Sequence, residues 1–325
     1  MPFAGGPLYF NQCRLVSRRG AVETLSIVDA ERRAPASLLN LQAPRPNIAG
    51  LDHPWPLIMG IINVTPDSFH DGGRRLDPNA AIAHGRALAS AGAAILDIGG
   101  ESTRPGAAAV PVAEELARVI PVIEALTAEG LVLSVDTRRA AVMAAAVKAG
   151  ARMINDVTAL RHDPDSLACV AELSVPVVLM HSRGEPATMR SMTRYDDLVM
   201  DVFDALAARV AACTDAGIDR GRLLIDPGLG FAKEAAQSAE LLRRMASFHA
   251  LGCPVLIGAS RKSFIGNLTG AASPEDRLPG SLAAAFWATQ QGAAVLRVHD
   301  VTETVQMLAI FRSLCYKELE QTNAR

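Results

Sequence analysis

From Leu57 onward the chain repeats one unit: a short apolar run, a polar residue at its end, a loop rich in Gly, Pro, Asp or Ser, and a stretch with helical periodicity. The apolar runs are Leu57–Ile62, Ala94–Ile98, Leu131–Val135, Arg152–Ile154, Val175–Met180, Leu223–Ile225, Pro254–Ile257 and Ala294–Val298. They are apolar without strict alternation, as parallel strands covered on both faces should be. Pro176 and Pro254 open their runs, where a missing backbone donor does least harm. After Tyr195, residues Val199, Val202, Phe203, Leu206, Val210 and Cys213 form one stripe at i, i+3, i+4 spacing and predict an amphipathic helix. Thr137 is placed to cap a helix whose Val142, Ala145, Ala146 and Ala149 share a face, with Gly150 closing it. Gly92, Gly130 and Gly292 also sit between a helix and the next strand.

Eight strand–helix units in roughly 260 residues predict an α/β fold of the (β/α)8 TIM-barrel type. A doubly wound sheet is the competing architecture, but the absence of any break in composition favours closure. Residues 1–50 do not follow the pattern and read as an N-terminal extension, leaving 51–325 for the barrel. Leu8–Val16 and Ala21–Val28 flank Ser17-Arg18-Arg19-Gly20 and read as a hairpin. Ala43–Pro56, rich in Pro and Gly, reads as a linker.

Composition narrows the function classes. Of 325 residues, 50% are hydrophobic, 20% charged and 4% aromatic, which excludes a largely disordered or collagen-like chain. A net charge of −2 supplies no global field for nucleic acid or anionic membrane, so an anion site must be built locally. The cysteines, Cys13, Cys169, Cys213, Cys253 and Cys315, are scattered and form no CxxC pair, which argues against a disulfide framework or structural zinc and fits a reducing cytoplasm. Met1–Phe10 lacks the basic-then-apolar pattern of a signal peptide, and no stretch reaches the ~18 continuous apolar residues of a membrane span. The expectation is a soluble cytoplasmic protein.

In a barrel, chemistry collects at the C-terminal ends of the strands. Those ends carry Asn63, Asp97, Asp136, Asn155 with Asp156, His181, Asp226, Arg261 with Lys262, and Arg297 with His299. Each has a bland explanation taken alone: Asp136 as a helix N-cap, Asn155-Asp156 as a turn, Asp226-Pro227-Gly228 as a turn initiator. Eight polar ends converging on one rim are harder to explain that way, because so many buried charges and amides need partners. Asp136, Asn155 and Asp226 suit a planar heterocycle with an amidine-like edge, since a carboxylate accepts two N–H donors side by side. Lys262, Arg297 and His299 follow the last two strands, where barrels often hold phosphate, and Ser260-Arg261-Lys262-Ser263 precedes a short helix. Two long loops, Val64–Gly73 and Gly100–Gly106, read as lids or as exposed connections. The residues alone thus suggest an enzyme that binds a polar heterocycle beside a phosphorylated group.

At these same positions the chain resembles the dihydropteroate synthase family of folate biosynthesis. The matching segments are 60–69 (Gly60-Ile-Ile-Asn-Val-Thr-Pro-Asp-Ser-Phe69) with Asp71-Gly-Gly73, and 97–106 (Asp97-Ile-Gly-Gly-Glu-Ser-Thr-Arg-Pro-Gly106). They continue with Ser134-Val-Asp-Thr137, Ile154-Asn-Asp156, Val178-Leu-Met-His181, Asp226-Pro-Gly-Leu-Gly-Phe231 with Lys233, Ser260-Arg-Lys-Ser-Phe-Ile-Gly266 and Arg297-Val-His-Asp300. They occur in the family's order and cover about Pro54 to Ile310. The resemblance implies a (β/α)8 homodimer, a sulfonamide target, that joins 6-hydroxymethyl-7,8-dihydropterin pyrophosphate to p-aminobenzoate.

By that resemblance Asp136, Asn155, Met180, Asp226 and Lys262 would hold the pterin. Asn63 would contact a Mg2+ ion, and Arg104, Arg297 and His299 would bind the pyrophosphate. Phe69, Thr103, Pro105, Phe231 and Ser263 would form the aminobenzoate site, and Asp67 would order the lids. The catalytic set is then Asp226, Lys262, Arg297, His299 and Asp67. The implied chemistry is SN1-like: pyrophosphate leaves, and the pterin-CH2 cation is captured by the aniline nitrogen. His70 and Ala232 depart from the family pattern, which predicts altered loop behaviour rather than lost activity. Two other readings are a pterin-dependent corrinoid methyltransferase and a non-catalytic pterin-binding paralogue. The Ser-Thr-Arg-Pro-Gly lid and Ser-Arg-Lys-Ser loop argue against both.

Overall fold

The computed structural model describes residues 1–4, 6–17, 21–53, 55–65, 78–102, 106–185 and 187–322. The chain opens with an antiparallel hairpin of β1 (Gln12–Val16) and β2 (Val22–Ser26), followed by helices α1 (Ile27–Arg33) and α2 (Pro35–Gln42). Strand–helix units then alternate: β3 (Leu57–Asn63), α3 (Pro78–Ser90), β4 (Ile95–Gly99), α4 (Val112–Ala128), β5 (Leu133–Asp136), α5 (Ala140–Lys148), β6 (Met153–Asp156), α6 (Ser166–Leu173). The second half continues with β7 (Val177–Met180), α7 (Leu198–Asp215), β8 (Leu223–Asp226), α8 (Ala235–Arg243), β9 (Leu256–Ile257), α9 (Ser263–Thr269), α10 (Leu278–Gln290), β10 (Val295–Val298) and α11 (Val301–Thr322). β3 to β10 form one parallel eight-stranded sheet in the order β8-β7-β6-β5-β4-β3-β10-β9. A single parallel bridge, Ile225 to Val255, joins its two ends. The expected barrel is present, and its seam lies between β8 and β9.

Alternation, hidden in the sequence because both faces of each strand are apolar, is plain in the packing. Ile58, Ile62, Leu96, Ile98, Val135, Ile154, Leu179 and Ile225 point outward into the cluster shared with the helices. Met59, Ile95, Met153, Val178, Leu224, Leu256 and Val295 point inward and form a separate cluster at the barrel floor. Two residues beyond several of these inward positions stand Asp97, Asn155, Met180, Asp226 and Arg297. A period of two therefore puts an apolar layer below a polar one in the barrel interior. Pro176 and Pro254 need no donor: each only accepts, from the backbone N–H of Ile154 and Ile225 respectively.

Three local expectations are corrected. Thr137 does not cap α5: Arg139 holds the N-cap position, while the Thr137 hydroxyl donates to Glu115 at 2.6 Å. In the extension, the second hairpin strand ends at Ser26 because its hydroxyl accepts from the backbone N–H of Asp29 at 3.1 Å and starts α1. The stretch from Ala43 to Pro56 does more than link. Ile48 and Ala49 are buried in the floor cluster, and the Ile48–Leu51 turn closes the bottom of the barrel.

That plug yields a stability test. Ile48 is 2% exposed among close-packed aliphatic side chains. Ile48→Ala removes buried methyl groups and leaves a cavity at the floor, expected to cost about 3 kcal/mol. In urea unfolding the midpoint should fall with an unchanged slope; an unchanged midpoint would show that Ile48 does not seal the floor.

Candidate active site

The polar layer is a hydrogen-bonded set. Arg297 donates from Nε to Asp97 Oδ2 at 2.6 Å and from Nη2 to Asp136 Oδ2 at 2.7 Å. Asn155 Nδ2 donates to the same Asp97 oxygen at 2.9 Å. These residues come from β10, β4, β5 and β6, so the ion pairs tie four strands at one level. Asp97 Oδ1 is buried and has no partner among the described residues, so the set is polar but incompletely satisfied.

Across the mouth, Asp226 at the end of β8 accepts the backbone N–H of Gly228 at 2.7 Å. The turn reading was thus right for this residue without excluding a further role. Gly228 has φ 70°, and a side chain there would overlap the carbonyl of His181. Lys262 donates to the Leu229 carbonyl at 2.6 Å and lies 4.9 Å from the centre of the Phe231 ring. A β-carbon at Gly258 would stand 3.8 Å from both Lys262 Nζ and Arg297 Cβ, so these two side chains border one small space.

Burial sets the protonation of this layer. Asp136 is pushed up to about 7 by loss of solvent, partly opposed by Arg297. Burial also raises Asp226, against the attraction of Lys262 and the Gly228 N–H. Lys262 is lowered to about 8 for the same reason, with Asp226 opposing. Acids raised and a base lowered toward neutrality, in one concavity, are what functional sites commonly show.

Around this centre the chain fixes its loops by buried contacts. Arg261 takes a left-handed φ of 56° and is held by Asp300, with bonds of 3.0 and 2.5 Å, and by the Ser281 hydroxyl at 2.9 Å. This turn aims the next residue, Lys262, inward. His299 receives support from Ser260, whose Oγ lies 3.1 Å from its Nδ1 and accepts its backbone N–H at 3.1 Å. Met180 is buried beside Asp226 in register, Asn63 ends β3 opposite Gly99, and Ser263 begins α9. Asp67, Phe69, His70, Thr103, Arg104 and Pro105 lie outside the described residues.

Several participants were not singled out by sequence reasoning. Asp97 was noted only as a strand end; its place two residues after Ile95 marks it as inward-facing only once the packing shows Ile95 in the barrel interior. Lys233 donates to the carbonyls of Gly228 at 3.0 Å and Phe231 at 2.9 Å, and to His181 Nδ1 at 2.9 Å. It straps the 226–231 loop from behind, and His181 is engaged there. Desolvation brings Lys233 down to about 7 and His181 down to about 2, so the imidazole is neutral and accepts. Ala232 in this loop takes φ 51°, a conformation that suits glycine better and costs an L-residue about 1 kcal/mol. Asp156, by contrast, only closes a turn, accepting from Thr158 and from Leu160 N–H at 2.9 Å.

A second buried network borders the Gly100–Gly106 loop. Glu101, with its side chain 4% exposed, accepts from Arg138 Nε at 2.8 Å, Arg139 Nη2 at 2.9 Å and the backbone N–H of Val110 at 3.0 Å. Arg139 also pairs with Glu115, Arg138 with Glu185, and Arg118 donates to the Gly100 carbonyl at 2.6 Å. The start of the loop is therefore tied through Glu101 to the turn that follows Asp136 and through Gly100 to α4.

Residues 59–299 match the family described as pterin binding enzymes. A dihydropteroate synthase of Escherichia coli is 48% identical over 261 residues, covering 80% of this chain and 92% of that one. The structure of Xanthomonas albilineans dihydropteroate synthase with 4-aminobenzoic acid superposes with a TM-score of 0.79 at 55% identity, over 83% of this chain and 98% of that chain. The same enzyme in complex with 7,8-dihydropteroate gives 0.76 at 52% identity, again over 83% and 98%. Barrel, polar layer and similarity along nearly the whole length of these relatives agree: the chain belongs to the pterin-binding enzyme family, among the dihydropteroate synthases.

Proposed function

We propose that the barrel mouth condenses 6-hydroxymethyl-7,8-dihydropterin pyrophosphate with p-aminobenzoate, giving 7,8-dihydropteroate and pyrophosphate. The observation that carries this reading is the grouping of Asp136, Asn155, Asp226, Lys262 and Arg297 in one desolvated layer. Asp136, Asn155 and Asp226 present acceptors and a donor to the edge of the pterin, with Met180 packing on its face. Lys262 donates to a ring acceptor and neutralises Asp226. Arg297 has its Nη1 group without a partner among the described residues, and with His299 it faces the diphosphate.

Departure of that group concentrates negative charge on oxygen, so Arg297 and His299 stabilise the transition state more than the ground state. The Asp226 carboxylate stabilises the cation left on the pterin methylene. The neutral aniline nitrogen attacks without a strong base. Water must be kept out meanwhile, a role for the two loops after β3 and β4, with Asp67, Phe69, Thr103, Arg104 and Pro105 in them and Phe231 and Ser263 completing the aminobenzoate site.

No cluster of three His, Cys, Asp or Glu side chains among the described residues could hold a metal ion. A single amide oxygen, Asn63, fits a Mg2+ ion only if most ligands are diphosphate and water oxygens, the usual habit of that ion. When bound, Mg2+ would supply charge neutralisation on the leaving group. A homodimer and a cytoplasmic location complete the reading; no disulfide joins the cysteines of the described residues, and no helix of those residues is long and apolar enough to cross a membrane.

Three outcomes test it. Aminobenzoate-dependent release of pyrophosphate should fall about 100-fold in kcat/KM for Lys262→Ala and for Asp226→Ala, the loss of a charge-assisted contact worth ~3 kcal/mol, with folding intact by circular dichroism. Normal turnover in either would overturn its role. Second, Asp136 accepts two donors side by side only as a carboxylate, so dihydropteroate affinity by calorimetry should rise with pH through about 7, and Asp136→Asn should flatten the profile. The fold itself responds oppositely, because a carboxyl whose pKa is raised holds its proton more tightly folded than unfolded, and its contribution to stability declines between about pH 4 and about pH 7. Third, Glu101→Gln should raise KM for aminobenzoate more than KM for the pterin substrate; equal changes would mean that the clamp does not serve the aminobenzoate side.

A further inference from the structure

At the opposite end of the barrel from the polar layer, the N-terminal extension and the barrel floor enclose a cleft of about 250 Å3. Its walls include the rings of Phe3 and Trp55, Pro44 and Pro254, and into it comes Arg45. Phe3 sits edge-on to His249 with ring centroids 4.5 Å apart, and α2 is tied to the floor by Asn40 Nδ2, which donates to the Ala250 carbonyl at 2.8 Å. The cleft is therefore made jointly by the extension and the barrel.

Arg45 is the unusual group. It is half-buried, and loss of solvent lowers its pKa. Its guanidinium makes one long bond, 3.4 Å to the His249 carbonyl, and pairs with no carboxylate among the described residues. Asp52 also borders the cleft but is exposed and makes no ion pair with it. Neighbouring His249 contributes no charge: its Nε2 lies 2.8 Å from the Gln291 carbonyl, and burial brings it down to about 4. A partly desolvated guanidinium facing a cavity without a counter-ion is costly, and its planar fork matches a carboxylate. The aromatic and proline walls would accept a flat apolar body, and the volume lies just below the ~300 Å3 at which pockets for drug-sized ligands begin.

We propose that this cleft is a second ligand site, for a small aryl carboxylate: the ring lies between Phe3 and Trp55 and the carboxylate pairs with Arg45. It is independent of the chemistry proposed for the barrel mouth.

Trp55 and Trp287 are the only tryptophans, so Trp287→Phe leaves Trp55 as the sole indole reporter. Benzoate titrated into the full-length Trp287→Phe protein should give a saturable change in Trp55 emission. The midpoint should move at least ~10-fold in Arg45→Met, the ~1.4 kcal/mol of a lost charged contact, and much less in Arg45→Lys. Adding Ser263→Ala should leave it unchanged, which separates this site from the aminobenzoate site proposed at the barrel mouth. Inorganic phosphate should produce no such change. No saturable response to benzoate in the parent protein, a midpoint indifferent to Arg45→Met, or a response to phosphate equal to that of benzoate would each overturn the proposal.

Discussion

Inside a closed parallel barrel each strand can address the interior only at every second residue. Everything about the candidate site follows from that spacing. The lower inward positions are given to Met59, Ile95, Met153, Val178, Leu224 and Val295, which exclude water. The next inward positions are given to Asp97, Asn155, Asp226 and Arg297, which lie on top of that dry layer and are desolvated by it. A shift of one residue in any strand would send its charged group out among the helices, where no partner awaits it. The apolar floor and the polar site are thus one arrangement, and the ion pairs from Arg297 to Asp97 and Asp136 hold its register across strands far apart in sequence.

Much of this was legible from the residues. The βα repeat was readable because each strand is a short apolar run followed by turn residues, and the polar residue at its end marked the rim of the candidate site. Asp136, Asn155, Asp226, Lys262 and Arg297 could therefore be named before any coordinates. What could not be read were the partners. Lys233 looks like any loop lysine, and only the folded chain shows its ammonium among the carbonyls of Gly228 and Phe231. Thr137 has the right chemistry for a cap, yet Glu115, distant in sequence, claims its hydroxyl. The same holds for Ile48 and Ala49, whose surroundings in the chain look like a linker while their contacts lie in the barrel floor.

Acidic and basic groups are distributed unevenly around the mouth. On the β4–β6 side carboxylates dominate and Arg297 reaches over to them; on the β8–β9 side Lys262 accompanies Asp226. Away from the centre, the Glu101 network sets three carboxylates against two guanidinium groups, so most of its charge is cancelled where it anchors the loop.

The join between β8 and β9 rests on one bridge, and β9 is two residues long. Asp226 ends one of these strands, and Lys262 follows the other. Any transient parting of the barrel wall would start where its backbone ladder is thinnest and would draw these two side chains apart. A heterocycle held by both would act as a rivet across that joint, so occupancy and wall integrity are coupled: amide protons flanking the joint should be the ones most slowed in exchange when the pocket is filled.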